Sequence, residues 1–439
     1  MKRTLFLALI ALATPGCGST GSTPSNPSGD GGTCAQTATG MLTVNVTGLP
    51  AGVAGAVMLT GPGGMQTVAT TTTLASAMSG AYTVVASNTT EADPIVRKAY
   101  KATVSTTSTT ICDGQTATID VTYALIPTSN KLWWGSSNSA NGTLGYASTA
   151  LASTGAPEAT IGADTDGHLP GAFDRDGNLW VVDGTAGNVK RYTADSLGTA
   201  GKKTPDVVLM SDAFTGGVPG PASFTFDKSG NMWIGVTFSK KIIEIEAANI
   251  TASGTVTPKV EITAADAPSA LAFDGAGNLW VGAGDRVLKY GVARLAASTT
   301  APADLTIEAQ TPLPVMGDLA SAIGLAFDAS MNLWVNYDGT FVRLTPADQG
   351  GTGMTTITPA VQIKADVLSL PEGLAFDEGG GLWFAYSQGK FAKFGQDQLG
   401  ASSAALVPAV IVSSSSVGSA TSPAFFPAPK ALPMFDALP

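Results

Sequence analysis

Histidine occurs once in the 439 residues, at His168, cysteine three times, and charged side chains make up only 13%. Each scarcity removes a class of function. A single imidazole cannot supply the paired-histidine zinc motifs. Lys and Arg number 23 against 33 Asp and Glu, a net charge of −10 with no basic stripe anywhere. Phosphate backbones are bound by clustered Lys and Arg, so nucleic acid is not an expected partner. No Gly-x-Ser-x-Gly and no phosphate-cradling glycine loop ahead of a helix occurs, which leaves two common catalytic signatures unwritten. The apolar run Leu5–Ala13 is too short to span a bilayer.

What the chain has is a repeat. An apolar run, an Asp, a turn and an Asn-Leu-Trp recur as GAFDRDGNLW (171–180), FTFDKSGNMW (224–233), LAFDGAGNLW (271–280), LAFDASMNLW (325–334) and LAFDEGGGLW (374–383). The Trp-to-Trp steps are 53, 47, 54 and 49 residues. Such a period, with one hairpin per unit, predicts stacked supersecondary units of the propeller kind. A composition rich in Thr, Val and Gly favours short strands and turns. The expected class is all-β: a six-bladed β-propeller preceded by a small β-sandwich.

Residues 1–16 carry Lys2 and Arg3, then the apolar run, which reads as a secretory signal. Cys17, directly after Gly16, resembles the lipidated cysteine of the bacterial lipobox, although Thr14 and Pro15 depart from its usual pattern. The alternative is ordinary cleavage nearby. Residues 17–33 form a Gly/Ser/Thr/Pro tether, unable to bury enough apolar surface to order itself. The resemblance implies an exported protein held at the cell envelope by a membrane anchor, on the outer membrane because no Asp follows Cys17. Cys34 and Cys112 then remain as an even pair in an oxidising compartment, which reads as a disulfide.

In residues 34–127, Leu42, Val44 and Val46 alternate with polar residues, and so do Ala117, Ile119, Val121 and Tyr123. Short alternating strands with Gly/Pro turns indicate the sandwich. The stretch Gly80-Ala-Tyr-Thr-Val84 resembles a late strand of carboxypeptidase-regulatory and transthyretin-like domains, which implies a spacer or adhesion module.

Residues 128–439 hold the blades. A third strand follows each Trp hairpin, an apolar residue recurs five positions later (Leu151, Leu197, Ile250, Leu295, Leu399), and only Gln349 breaks that rule. A Pro then opens a β-branched run, as at Pro205 and Pro258. A leading Pro suits a strand needing no ladder donor there, so this fourth strand is expected to be outermost. The first unit has Lys131–Trp134 but no inner strand, and Ser422–Phe426 is expected to supply it. The repeat Pro-Glu-Gly-Leu-Ala-Phe-Asp-x-x-Gly-x-Leu-Trp is similar to NHL-type and streptogramin-lyase-like propellers, which include binding scaffolds, lactonases and lyases.

The turn aspartates Asp174, Asp227, Asp274, Asp328 and Asp377 recur in all five Asn-Leu-Trp-type repeats and read as turn caps rather than a calcium loop, since the closing Glu and flanking helices are missing. His168, Asp183, Asn336 and Glu372 break the repeat near one mouth of the expected channel. Together they suit a divalent cation such as Ca or Mg held by oxygen ligands. Gluconolactonase-type propellers place a comparable set around a metal, and streptogramin lyases use a His base. By that resemblance His168 and Glu372 are the catalytic candidates, and Asp183, Asn336 and Glu372 the metal ligands. The first reading is a non-enzymatic binding or scaffold module for a protein, glycan or small molecule. The second is a metal-dependent lactonase or lyase.

Overall fold

The computed structural model describes residues 39–136, 142–155, 161–164, 169–183, 186–214, 221–309, 321–366, 373–387, 389–414 and 420–430. Cys17, Cys34, His168 and Glu372 lie outside these residues. Among the described residues the chain forms eight sheets: two from Thr39 to Leu125 and six from the repeat region.

The two N-terminal sheets face each other across one core. The first orders Thr72–Met78, Thr39–Thr47, Thr116–Leu125, Lys98–Val104 and Thr89–Glu91; the second orders Gly64–Val68, Ala56–Gly61, Gly80–Ser87 and Ser108–Ile111. The alternation read in the sequence explains the packing: Leu42, Val44, Ile119 and Val121 from one sheet meet Val57, Leu59, Tyr82 and Val84 from the other. The Ala56 amide donates to the Tyr123 hydroxyl at 2.8 Å, tying the layers at one end.

Each repeat sheet is built on four antiparallel strands, and in four of the six a fifth strand is added. The strands carrying the Trp are Lys131–Ser136, Leu179–Asp183, Met232–Val236, Leu279–Ala283, Leu333–Tyr337 and Leu382–Ser387, in sheets one to six. The inner strand of sheet one comes from the far end of the chain: Ala420–Phe426 pairs antiparallel with Lys131–Ser136, Phe425 opposite Leu132 and Ala424 opposite Trp133.

Hydrophobic clusters join neighbouring sheets. Trp133 and Phe426 share one with Phe173 and Tyr192 of sheet two, Trp180 one with Phe226 and Ile243 of sheet three, and Trp233 one with Leu279 of sheet four. The series continues with Trp280 and Phe327, then Trp334 and Phe376. Trp383 and Phe391 of sheet six share a cluster with Trp134 and Leu144 of sheet one. The contact has one recurring geometry. In five of the six sheets the Trp meets, edge to face, the Phe that ends the next sheet's inner strand, at ring separations of 6.3 Å (Trp133–Phe173), 6.2 Å (Trp180–Phe226), 6.0 Å (Trp233–Phe273), 6.3 Å (Trp280–Phe327) and 6.4 Å (Trp334–Phe376), whereas Trp383 meets Phe391 of its own sheet at 6.1 Å. Such pairs add about 0.5–1.5 kcal/mol beyond the area they bury. The class this defines is a β-propeller.

The aspartate turns hold these Trp rings in place. In sheet two, Asp174 Oδ1 accepts from the amides of Asp176 and Asn178, both at 3.0 Å, and Oδ2 accepts from Trp180 Nε1 at 3.0 Å. The indole bond recurs from Trp233 to Asp227, Trp280 to Asp274, Trp334 to Asp328 and Trp383 to Asp377. Sheet one has no such Asp, and Trp133 Nε1 donates instead to the Thr128 carbonyl at 2.9 Å. The turn's last residue before the Asn sits at positive φ, which is why it is Gly177 (79°) in sheet two. Met331 adopts φ 63° at the same place in sheet five.

The Pro-led fourth strand is not outermost, contrary to expectation. A short segment from the following unit lies parallel outside it: Gly201–Lys202 on Ile161–Asp164, Gly254–Thr255 on Val207–Met210, Gly353–Ile357 on Leu305–Ala309 and Ser403–Leu406 on Val361–Ala365. Thr299 bridges to Ile262 in sheet three. At sheet six the Gly155 amide donates to the Ile411 carbonyl at 2.8 Å, from the loop of sheet one. Backbone groups of the Gly/Ser/Thr loops thus satisfy edges that would otherwise be open.

The N-terminal unit is fastened to the repeat body at the junction of sheets one and six. Ile95 and Val96 belong to the cluster of Trp134 and Trp383. Arg97, 6% exposed, pairs with Glu378 and donates from Nη2 to the Ala428 carbonyl at 2.5 Å. The Glu378 amide in turn donates to the Ile95 carbonyl at 3.0 Å.

Candidate functional site

The inner strands of all six sheets surround an axial cavity of about 230 Å³. They approach closely because the repeat puts small residues at their heads. A Cβ at Gly171 would stand 1.6 Å from the Phe224 ring, and one at Gly373, whose φ is +63°, would stand 2.3 Å from Ser422 Oγ. The lining is mostly apolar, with Ala172, Ala270, Leu325 and Leu374 along the wall and Phe425 near one end. Polar atoms are few. Ser269 Oγ donates to backbone carbonyls of Gly282 and Ala322, at 3.0 and 2.6 Å. Ser223 also lines the cavity, but its Oγ is buried beside Gly235 rather than open to it, and has no hydrogen-bond partner among the described residues. Asp174 and Arg175 border the cavity at the turn end. Burial pushes the Asp174 carboxyl above its usual range, although four hydrogen bonds from Asn178, Trp180 and Asp176 oppose the shift.

Asp183 and Asn336, two of the four residues singled out at the mouth, are both at the end of a Trp strand but on sheets two and five. Each is engaged locally. Asp183 Oδ1 accepts from the Ala186 amide at 2.8 Å, and Oδ2 pairs with Lys190 Nζ at 3.0 Å, both side chains 11% exposed. Asn336 is fully buried, and its Oδ1 accepts from the Gly339 amide at 2.8 Å, closing the tight turn through Asp338 and Gly339, both at positive φ. His168 and Glu372 lie outside the described residues, so their relation to this pair is not part of the described geometry. Among the described residues no group of three or more His, Cys, Asp or Glu stands together as a metal site. The two residues that sequence reasoning passed over are Ser223 and Ser269. Both are visible in the sequence, but Ser223 lies four residues before its turn Asp and Ser269 five, so they hold different places in the repeat and give no periodic signal.

Neither a protein-family model nor a curated protein matches the chain. Among solved structures it is similar to a streptogramin B lyase, 15% identical with a TM-score of 0.34 over 52% of this chain and 65% of that one. It is also similar to a protein of unknown function from Bacteroides caccae, 13% identical, TM-score 0.43, over 65% and 98% of the two chains. A luciferin-regenerating enzyme is 15% identical, TM-score 0.39, over 58% and 77%. The match thus spans just under two thirds of the lyase's own length. The propeller is defined by the sheet order and the shared clusters, not by these likenesses.

Proposed function

We propose that the chain is an exported, lipid-anchored bacterial binding module of the cell envelope: a six-bladed propeller, ring-closed by Ala420–Phe426 and preceded by a β-sandwich, that takes a small, mainly apolar ligand in its axial cavity. The observation that carries the binding reading is the lining: a mainly apolar wall contributed by the inner strands of all six sheets. Apolar walls with a few placed polar groups are the usual make-up of a ligand pocket. At about 230 Å³ the cavity lies below the roughly 300 Å³ at which drug-sized sites begin, so the ligand is small. The cyclic order of the six shared clusters supports the six blades, and the single core between the two N-terminal sheets supports the sandwich.

Lipidation at Cys17 and a Cys34–Cys112 bridge belong to the same reading. Cys112 is not a free thiol. The Gly114 amide donates to the Thr39 carbonyl at 3.0 Å, which brings the chain five residues after Cys34 within reach of Cys112. Fractionation of cells expressing Cys17→Ser tests the anchor. The variant is expected in the soluble fraction and the parent with membranes; full retention of the variant on membranes refutes the lipobox reading.

A further inference from the structure

Four of the six sheets hold a cation over the repeat's tryptophan. The Arg191 guanidinium carbon lies 5.4 Å from the Trp180 ring, Lys289 Nζ 5.0 Å from Trp280, the Arg343 guanidinium carbon 6.0 Å from Trp334 and Lys393 Nζ 5.3 Å from Trp383. Register explains the row, because each of these residues is the cross-strand partner of its Trp on the third strand. An aromatic face attracts positive charge through its quadrupole. Two sheets break the row. In sheet one the partner is Gly145, and the Trp133 ring itself fills the space, 2.9 Å from where a Cβ would stand. In sheet three the partner of Trp233 is Glu244, a residue of the wrong sign.

Nothing among the described residues fully answers Glu244. Its side chain is 5% exposed, and it accepts no hydrogen bond among the described residues. The one cation paired with it among the described residues, Lys259, is half-exposed, stands 3.8 Å away and is closer to Glu246, at 3.0 Å. Lys228, which lines a cavity together with Glu244, donates to the Gly275 carbonyl at 2.7 Å. A buried carboxylate opposite an aromatic residue, without a hydrogen-bond donor, is a costly arrangement. A cavity of about 390 Å³ opens at this place between sheets three and four, lined by Trp233, Glu244, Asp227, Lys259, Phe273 and Leu295. Glu244, on its wall, stands at the register position where the other sheets carry the longer Arg or Lys.

We propose that this cavity binds a small organic cation bearing a guanidinium or primary ammonium group, held between the Glu244 carboxylate and the face of Trp233. The ligand supplies in trans the charge that Arg191, Lys289, Arg343 and Lys393 supply in their own sheets. The site is distinct from the axial cavity, with Phe226 and Phe273 lining both.

Titration calorimetry of the full-length protein with methylguanidinium, n-butylammonium and the neutral isostere methylurea tests the proposal. Saturable uptake of either cation but not of methylurea is expected. Glu244→Gln should weaken it at least tenfold, and Lys259→Ala, which removes the competing ammonium, should strengthen it several-fold. Glu244→Lys restores the repeat's own pattern and should abolish uptake while keeping the fold, which guards against loss by misfolding. Absence of saturable binding by both the parent and Lys259→Ala overturns the proposal, as does binding that Glu244→Gln leaves unchanged.

Discussion

Removal of residues 420–439 takes away the inner strand of sheet one, and its cost can be worked from the contacts. Phe426 is 5% exposed, with its ring 5.8 Å from Phe173, and Ala424 is 8% exposed. Deleting a buried Phe side chain costs about 3–5 kcal/mol. Phe425 is half-buried against the Trp134 and Trp383 cluster, and by area its loss costs about half as much. The ladder to Lys131–Ser136 adds about 1 kcal/mol for each hydrogen bond left unmade. Beyond the strand, the buried Arg97 loses the Ala428 carbonyl, and an unsatisfied buried donor costs about 1–3 kcal/mol. These losses together reach the range of about 5–15 kcal/mol that is the whole stability of an ordinary domain. Urea unfolding followed by tryptophan fluorescence should therefore show no cooperative native transition in the truncated chain. Phe426→Ala alone should lower stability by about 3–4 kcal/mol with an unchanged dependence on urea. A truncated chain with the parent's midpoint and slope would refute the reasoning, because Ala420–Phe426 would then be a dispensable tail.

Asp183→Asn keeps an acceptor for the Ala186 amide but leaves Lys190 buried without its carboxylate, at a cost of about 3 kcal/mol in urea unfolding. If Lys190 alone answers Asp183, a chelator should leave the parent's unfolding midpoint unchanged; a fall in midpoint that Asp183→Asn abolishes would support the metal reading of Asp183. Burial raises the Glu244 carboxyl above its ordinary 4.5, with Lys259 opposing the shift and Asp227 and Glu246 adding to it. The folded state then binds its proton more tightly than the unfolded state, so stability is fully present below about pH 4.5 and declines as pH rises through the raised value. Glu244→Gln should gain stability over the parent at neutral pH, with the difference vanishing in acid. A pH-independent difference would show that the carboxylate's charge is not what burial penalises.

Much of the repeat body is legible because its burial is periodic. The Trp, the Phe at the inner strand's end and the apolar residue after the third strand recur because each fills the same gap in every sheet. Where the rule fails at Gln349, the side chain is 8% exposed and donates to the carbonyls of Met331 and Leu344, at 2.8 and 3.1 Å. The outer fifth strands were not legible, since Gly254–Thr255 and its counterparts pair through backbone atoms and carry no alternating pattern. Arg97 and Glu378, 281 residues apart, give no sign of their pairing in a single sequence. The N-terminal unit consequently reads as a free spacer in the sequence, whereas the structure makes it a brace across the junction of sheets one and six.

The breaks in the repeat separate into compensated and uncompensated ones, and the distinction bears on function. Gln349 replaces an apolar contact with two hydrogen bonds, and Thr128 replaces the missing aspartate beneath Trp133. Met331 accepts a left-handed backbone of φ 63° that glycine adopts more easily, while the Asp328 turn around it keeps its bonds to Asn332 and Trp334. In each case the chain itself supplies what the substitution took away. Glu244 differs: it reverses the sign of a charge at a buried ring, leaves a cavity beside it, and recruits only a lysine already closer to another glutamate. A structural repeat tolerates substitutions that its own neighbours can satisfy. One that they do not satisfy is stable only if the remaining fold carries its cost, and it is the position where an outside ligand gains most by binding.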